Sequence, residues 1–171
     1  MKLQDVAVCQ WFRVSVMADE APTLIPKHGR RSLAEFYREL GFTRGAEVGV
    51  RRGEHAEIMC QTVPGLTLLC VDPWAPQEGY LERKNNTEPE MSHLYREAQE
   101  RLAPYKCVFV RHPSVIGARL VPNGSLDFVY IDANHRADFV LQDLELWTPK
   151  VKSGGIIAGH DYATRPDRHI E

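Results

Sequence analysis

Five short stretches of this chain, 46–50, 66–71, 107–110, 126–131 and 155–159, are mostly apolar, and segments with apolar residues at helical spacing alternate with them. A strand that is apolar on both faces has to be covered on both. That is the situation of a parallel sheet between two layers of helices, wound by right-handed crossovers. The alternation predicts an α/β fold: a Rossmann-like three-layer sandwich with a mainly parallel sheet of five strands.

The helices follow from their stripes. Ser32 and Glu35 have capping-box spacing; Leu33, Phe36, Tyr37 and Leu40 then share a face, and Gly41 ends the first helix. Ala56, Met59, Cys60 and Val63 make a second stripe, stopped by Pro64 and Gly65. Met91, Leu94, Tyr95, Ala98 and Leu102 make a third, after a polar loop over 73–89. Ala137, Val140, Leu141, Leu144 and Trp147 make the last, with Pro149 at its exit. Residues 1–31 have weak periodicity and contain Pro22, Pro26 and Gly29, so an irregular arm is expected there, with the Rossmann-like domain over 32–171.

Composition narrows the partners. The chain has 171 residues, 43% of them hydrophobic, which suits one domain with a substantial core. Its 21 basic and 23 acidic residues leave a net charge of -2 with no block of like charge. Neither nucleic acid nor an anionic membrane is expected as a partner, and a small molecule is. Lys2, Asp5 and Arg13 interrupt the apolar residues of the first sixteen, which excludes a signal-peptide core or a spanning segment there and leads us to expect a cytoplasmic protein. Cys9, Cys60, Cys70 and Cys107 lack the paired spacing of a zinc or redox motif, so reduced, buried, inert thiols are expected.

In a parallel α/β sheet, ligands bind beyond the carboxyl ends of the strands, where the winding reverses. Glu47-x-Gly49-x-x-x-Gly53 occupies the first strand-to-helix turn. Its glycines allow a tight bend and close approach to a ligand. Its carboxylate suits a cationic ligand better than a pyrophosphate, which a Gly-x-Gly-x-x-Gly loop would receive. Asp72 ends the second apolar run, 19 residues after Gly53, where a carboxylate can accept both hydrogen bonds of a ribose diol. Trp74 follows, placed either to cover an adenine or substrate or to pack. Asp132 ends the fourth run and His160-Asp161 the fifth, with His135 three residues beyond Asp132. Four strand ends thus direct polar groups to one edge.

From about residue 33 to 162, these motifs resemble class I S-adenosylmethionine-dependent methyltransferases. Within that class the chain resembles small O-methyltransferases of the sugar and macrolide type and, more remotely, the catechol and caffeoyl-coenzyme A enzymes. The resemblance implies strands one to five of that core. It also implies S-adenosylmethionine held by Glu47, Gly49, Gly53, Asp72, Trp74 and Ser114, and a small hydroxylated acceptor. Ser114 matches a position that lies near the adenine, although a helix N-cap explains it equally well.

In metal-dependent members, an aspartate ending strand four and an acidic or amide pair ending strand five hold a divalent ion, which implies Asp132, His160 and Asp161 here. An imidazole in that set disfavours magnesium and points to manganese or iron, or to no metal. Catechol-type enzymes carry a basic lysine three residues after the aspartate, where this chain has His135. Imidazole, with an ordinary pKa of ~6.5, suits the removal of a hydroxyl proton, so His135 and Asp132 are the expected catalytic pair.

Two other readings stay open. One is a metal-dependent hydroxylase resembling the cephalosporin hydroxylases, with iron at the same three residues. The other is a truncated or non-catalytic cofactor-binding module, because the familiar enzymes continue through a further helix and two strands where only 163–171 follow here. A second copy covering the sheet edge is expected on the same ground.

Overall fold

The computed structural model describes residues 29–77 and 87–160. In chain order the elements are α1 (Arg30–Glu39), β1 (Arg44–Val48), α2 (Glu54–Thr62), β2 (Thr67–Val71), α3 (Glu88–Leu102), β3 (Lys106–Val110), α4 (Ser114–Arg119), β4 (Leu126–Ile131), α5 (Ala137–Trp147), a 3-10 turn (Thr148–Lys150) and β5 (Val151–Gly159). The strands form one sheet in the order β3-β2-β1-β4-β5, with every pairing parallel. The chain winds outward from β1 to β3 and then returns to lay β4 along the other side of β1. The winding therefore reverses between β1 and β4, the place where such sheets receive ligands. The α/β Rossmann-like architecture expected from the apolar runs is the one present.

Each face of the sheet has its own core. Tyr37, Met59, Leu68, Leu102 and Phe128 pack on one face, and Val48, Val71, Val129 and Trp147 on the other. Phe128 and Val129 are neighbours in β4 on opposite faces, as the two-residue period of a strand requires. All six positions of β4 are buried, and Tyr37 of α1 stacks on Phe128 with 4.0 Å between ring centroids. This stacking docks α1 onto β4, and at the helix start Arg30 reaches Asp132 just past the strand.

Several boundaries differ from the sequence reading. Gly29, not Ser32, precedes the first helix, and no side chain caps it. Ser32 lies inside the helix, where residues three apart share a face whether or not they cap. A true capping box forms at Thr87 and Glu90: the Thr87 N–H donates to Glu90 Oε2 at 2.8 Å. The third helix therefore starts at the end of what reads as loop. The short helix α4 is too brief to leave a periodic stripe. In α5 the span is as expected, but Leu141 is 61% exposed while Asp143 is buried with Trp147. The reason is a polar contact inside the packed face. Trp147 Nε1 donates to Ser114 Oγ at 2.8 Å, and that hydroxyl donates to Asp143 Oδ1.

Cys60 and Cys70 are buried and Cys107 partly so, all as free thiols, with Cys60 Sγ 3.7 Å from Cys107 Sγ. Cys9 and residues 1–28 of the expected 1–31 arm lie outside the described residues, as does Asp161, while Arg30 and Arg31, expected in that arm, form the start of α1. No helix among the described residues is long and apolar enough to cross a membrane.

Candidate functional site

The parallel ladders run one rung past the strand ends. Gly49 N–H donates to the Val71 carbonyl at 2.9 Å, Asp72 N–H to Val110 at 3.2 Å, Asp132 N–H to Val48 at 2.8 Å and His160 N–H to Ile131 at 3.2 Å. These rungs bring the residues after β1, β2, β4 and β5 to a common edge. A cavity of about 350 Å3 opens there, within the size range of small-molecule sites. Glu47, Gly49, Asp72, Trp74, Ser114, Asp132 and His135 all line it, and so do Arg30 and His55. Gly53 and His160 are not among its lining residues.

The loop from Gly49 to Gly53 is held in an uncommon backbone conformation. Gly49 has φ +92°, and a Cβ on it would overlap the carbonyl oxygen of Asp132, so glycine is needed for β1 and β4 to approach at the switch point. Arg51 also has positive φ, at +52°, where a side chain is strained. Asp72 and Trp74 hold it there. Asp72 Oδ2 accepts the N–H groups of Val50 at 3.0 Å and Arg51 at 2.9 Å; Oδ1 accepts that of Trp74 at 2.8 Å. Trp74 Nε1 donates to the Arg51 carbonyl at 2.8 Å. Burial pushes the Asp72 carboxyl up, and the three backbone donors draw it back, leaving it raised. A carboxylate offers about four acceptor positions, so Asp72 retains room for one ligand hydroxyl beside its three loop bonds. Trp74 is wholly buried against Tyr95 and Phe109 and also walls the cavity.

Glu47 is 1% exposed and pairs with His55, Nδ1 to Oε1 at 2.9 Å. Burial raises its carboxyl, and the histidine partly offsets that. Its other oxygen, Oε2, is buried with no hydrogen-bond partner, as is His55 Nε2. Buried polar atoms normally find partners, so a pair of orphans beside a cavity marks a place for a polar ligand. Sequence reasoning missed His55. Its signal was its position two residues after Gly53, on the first turn of α2 and above the strand that carries Glu47.

At the end of β4, one guanidinium and two imidazoles converge on Asp132. Arg30 Nη2 lies 2.8 Å from Oδ2, His135 Nε2 3.2 Å from Oδ1, and His160 Nδ1 3.9 Å from Oδ1. Burial would raise the carboxyl, but the His135 hydrogen bond and the charges of His160, Arg30 and His135 outweigh it, and Asp132 is held below its ordinary value. Burial pushes the neighbouring Tyr130 phenol up to about 12, so it keeps its proton at neutral pH.

Of the expected metal set, Asp161 lies outside the described residues, and Asp132 is already engaged by other side chains. Both Asp132 oxygens already face cationic or hydrogen-bonding nitrogens, and a divalent ion would have to displace a guanidinium. Among the described residues, no group of three or more His, Cys, Asp or Glu side chains is placed to hold an ion. Ser114, the other residue of double reading, does not cap α4. Its hydroxyl bridges Asp143 and Trp147 at the cavity wall.

Comparison with known proteins follows the same lines. A family described as a methyltransferase domain matches residues 46–162. No curated protein matches the chain. Among solved structures, a candidate caffeoyl-CoA O-methyltransferase from Staphylococcus aureus superposes with a TM-score of 0.58 at 13% identity, over 94% of this chain and 66% of its own. The O-methyltransferase TomG from Streptomyces achromogenes, involved in tomaymycin synthesis and bound to SAM, gives 0.57 at 12% identity over 93% and 65%. The SAH-bound methyltransferase PaMTH1 from Podospora anserina gives 0.56 at 14% over 94% and 62%. The chain thus spans slightly less than two thirds of the length of these structures. At such identities they share the fold, while the family match covers the Gly49–Gly53 loop and every strand of the sheet except the first two residues of β1. The chain therefore belongs to the methyltransferase domain family.

Proposed function

We propose that this chain transfers the methyl group of S-adenosylmethionine to a hydroxyl of a small acceptor. One observation carries the reading: a buried carboxylate with an unpartnered oxygen, Glu47, and a carboxylate–imidazole pair, Asp132 and His135, line the same cavity at the switch point of the sheet. The first is an acceptor for the cationic end of the cofactor. The second is a base held in place beside it.

When bound, the cofactor supplies an electrophilic methyl on a sulfonium, so the protein needs no nucleophile of its own. The Gly49–Gly53 turn would let the cofactor approach the backbone closely, Glu47 would meet its positive charge, and the remaining acceptor position of Asp72 would take a ribose hydroxyl. His135 takes the acceptor's proton, and Asp132 orients the ring and stabilises the imidazolium. The acceptor oxygen forms its bond to carbon as the carbon–sulfur bond breaks, with that electron pair remaining on sulfur. Holding the two reactants in line supplies much of the rate.

The test is transfer of isotopically labelled methyl from S-adenosylmethionine to a panel of hydroxylated small molecules. Label should move to at least one acceptor class, and His135→Ala should lower kcat by about 10²–10⁴-fold. A wild-type chain that binds the cofactor but labels no acceptor, or an undiminished His135→Ala variant, contradicts the proposal.

A further inference from the structure

The cation at the end of β4 comes from a residue that is 102 positions away in sequence. Arg30 opens α1, and its guanidinium reaches Asp132 Oδ2 at 2.8 Å. It lines the cavity with Asp132 and His135, and its Nε is buried with no hydrogen-bond partner. The placement is not incidental to the fold, because the Tyr37–Phe128 stack docks the same helix onto β4.

We propose that Arg30 is a catalytic residue: its guanidinium supplies the fixed positive charge that stabilises the acceptor oxygen as it loses its proton. The acceptors it serves are acidic hydroxyls of the phenol or enol type, methylated without a divalent ion. This inference rests on the methyl-transfer reading above and adds to it the source of the charge and the acceptor class.

Two arguments carry it. A guanidinium has five N–H donors in a planar fork, so one given to Asp132 leaves others for an oxyanion in the same cavity. Its charge is permanent, which makes the site preorganised for a negative oxygen and is the type of stabilisation that most often dominates an enzymatic rate. The acceptor class follows from proton affinities. Phenol, with a pKa of ~10, lies within a few units of imidazole at ~6.5. Unactivated hydroxyls closer to water, at ~15.7, lie about nine units away, a gap that metal coordination can close and that a single hydrogen-bonding cation closes only in part. In the step itself the hydroxyl proton passes to His135, the oxygen takes the methyl from the sulfonium, and a neutral thioether leaves.

The experiment compares the wild type with Arg30→Met and Arg30→Lys. Three readouts are needed: kcat on a phenolic and a sugar-type acceptor panel, with EDTA or with added Mn2+; S-adenosylmethionine affinity by calorimetry; and Mn2+ binding by electron paramagnetic resonance. The wild type should turn over phenols equally, within twofold, in EDTA and in Mn2+, should prefer them to sugars by at least a hundredfold, and should leave the Mn2+ signal undiminished. Arg30→Met should lose about 10²–10³-fold in kcat with cofactor affinity held within threefold, and Arg30→Lys should recover part of that loss. Retained cofactor binding shows that the variants are folded. Activity abolished by EDTA and restored by Mn2+, stoichiometric Mn2+ binding, equal turnover of sugars, or wild-type kcat in Arg30→Met each overturn the inference while leaving methyl transfer itself standing. Failure of the wild type to bind S-adenosylmethionine overturns both.

Discussion

Glu47 and Asp132 are two carboxylates on neighbouring strands whose surroundings push them in opposite directions. Burial raises Glu47, so its charged form opposes folding: its contribution to stability is fully present at acid pH and is lost as pH rises through the raised value. Asp132 is lowered, so its contribution is present above the ordinary carboxylate range and is lost as pH falls through the depressed value. Glu47→Gln should therefore raise Tm at pH 7, with the gain fading toward pH 4, whereas Asp132→Asn should lower Tm at pH 7, with the deficit closing at acid pH. Scanning calorimetry across pH checks both signs. Parallel pH dependence in the two variants would contradict the assignment of opposite environments. A stabilising Glu47→Gln would also show that the carboxylate is kept at some expense to the fold, as expected of a ligand-facing group.

The turn between β1 and α2 owes its shape to contacts from two other strands. Gly49→Ala would combine left-handed strain with overlap of the Asp132 carbonyl, and should cost about 3 kcal/mol or more by chemical denaturation. Gly53 also has positive φ, at +74°, but a Cβ there would meet the Leu102 side chain at 3.1 Å and the Ala98 backbone at an ordinary 3.5 Å, with no overlap of a carbonyl, so Gly53→Ala should cost less. Equal costs would place the constraint in the turn itself rather than in the approach of β4. The sequence made much of this legible. The mostly apolar runs made β1 to β5 readable, although only the central strands are well buried: Val108 of β3 is 51% exposed at the sheet edge, and β5 begins at Val151, before its run. The helix details were less so. Ser32-x-x-Glu35 and Thr87-x-x-Glu90 have the same spacing, and only the second caps a helix, because spacing cannot tell a helix start from a helix interior. The buried face of α5 carries Asp143, satisfied by Ser114 from α4, and no periodicity of apolar residues can register a hydrogen-bonded carboxylate.

Across the whole molecule, the site is a product of topology. Asp72, Asp132 and His135 were identifiable in sequence because each follows an apolar run, and Glu47 because it heads the glycine turn after the first; a parallel sheet brings those ends together. Arg30 and His55 were not. Arg30 sits in a stretch that reads as irregular arm, and nothing in the chain near it points to a partner 102 residues on. The arginine changes the chemistry most, since it stands on the carboxylate expected to hold a metal. The most direct test of the account is calorimetric titration of the wild type and Glu47→Gln with S-adenosylmethionine. The wild type should bind one equivalent, and the variant, equally or more stable, should bind about 10–100-fold more weakly, the loss of one charge-assisted hydrogen bond. No binding by the wild type, or unchanged affinity in Glu47→Gln, would contradict the placement of the cofactor at this edge of the sheet.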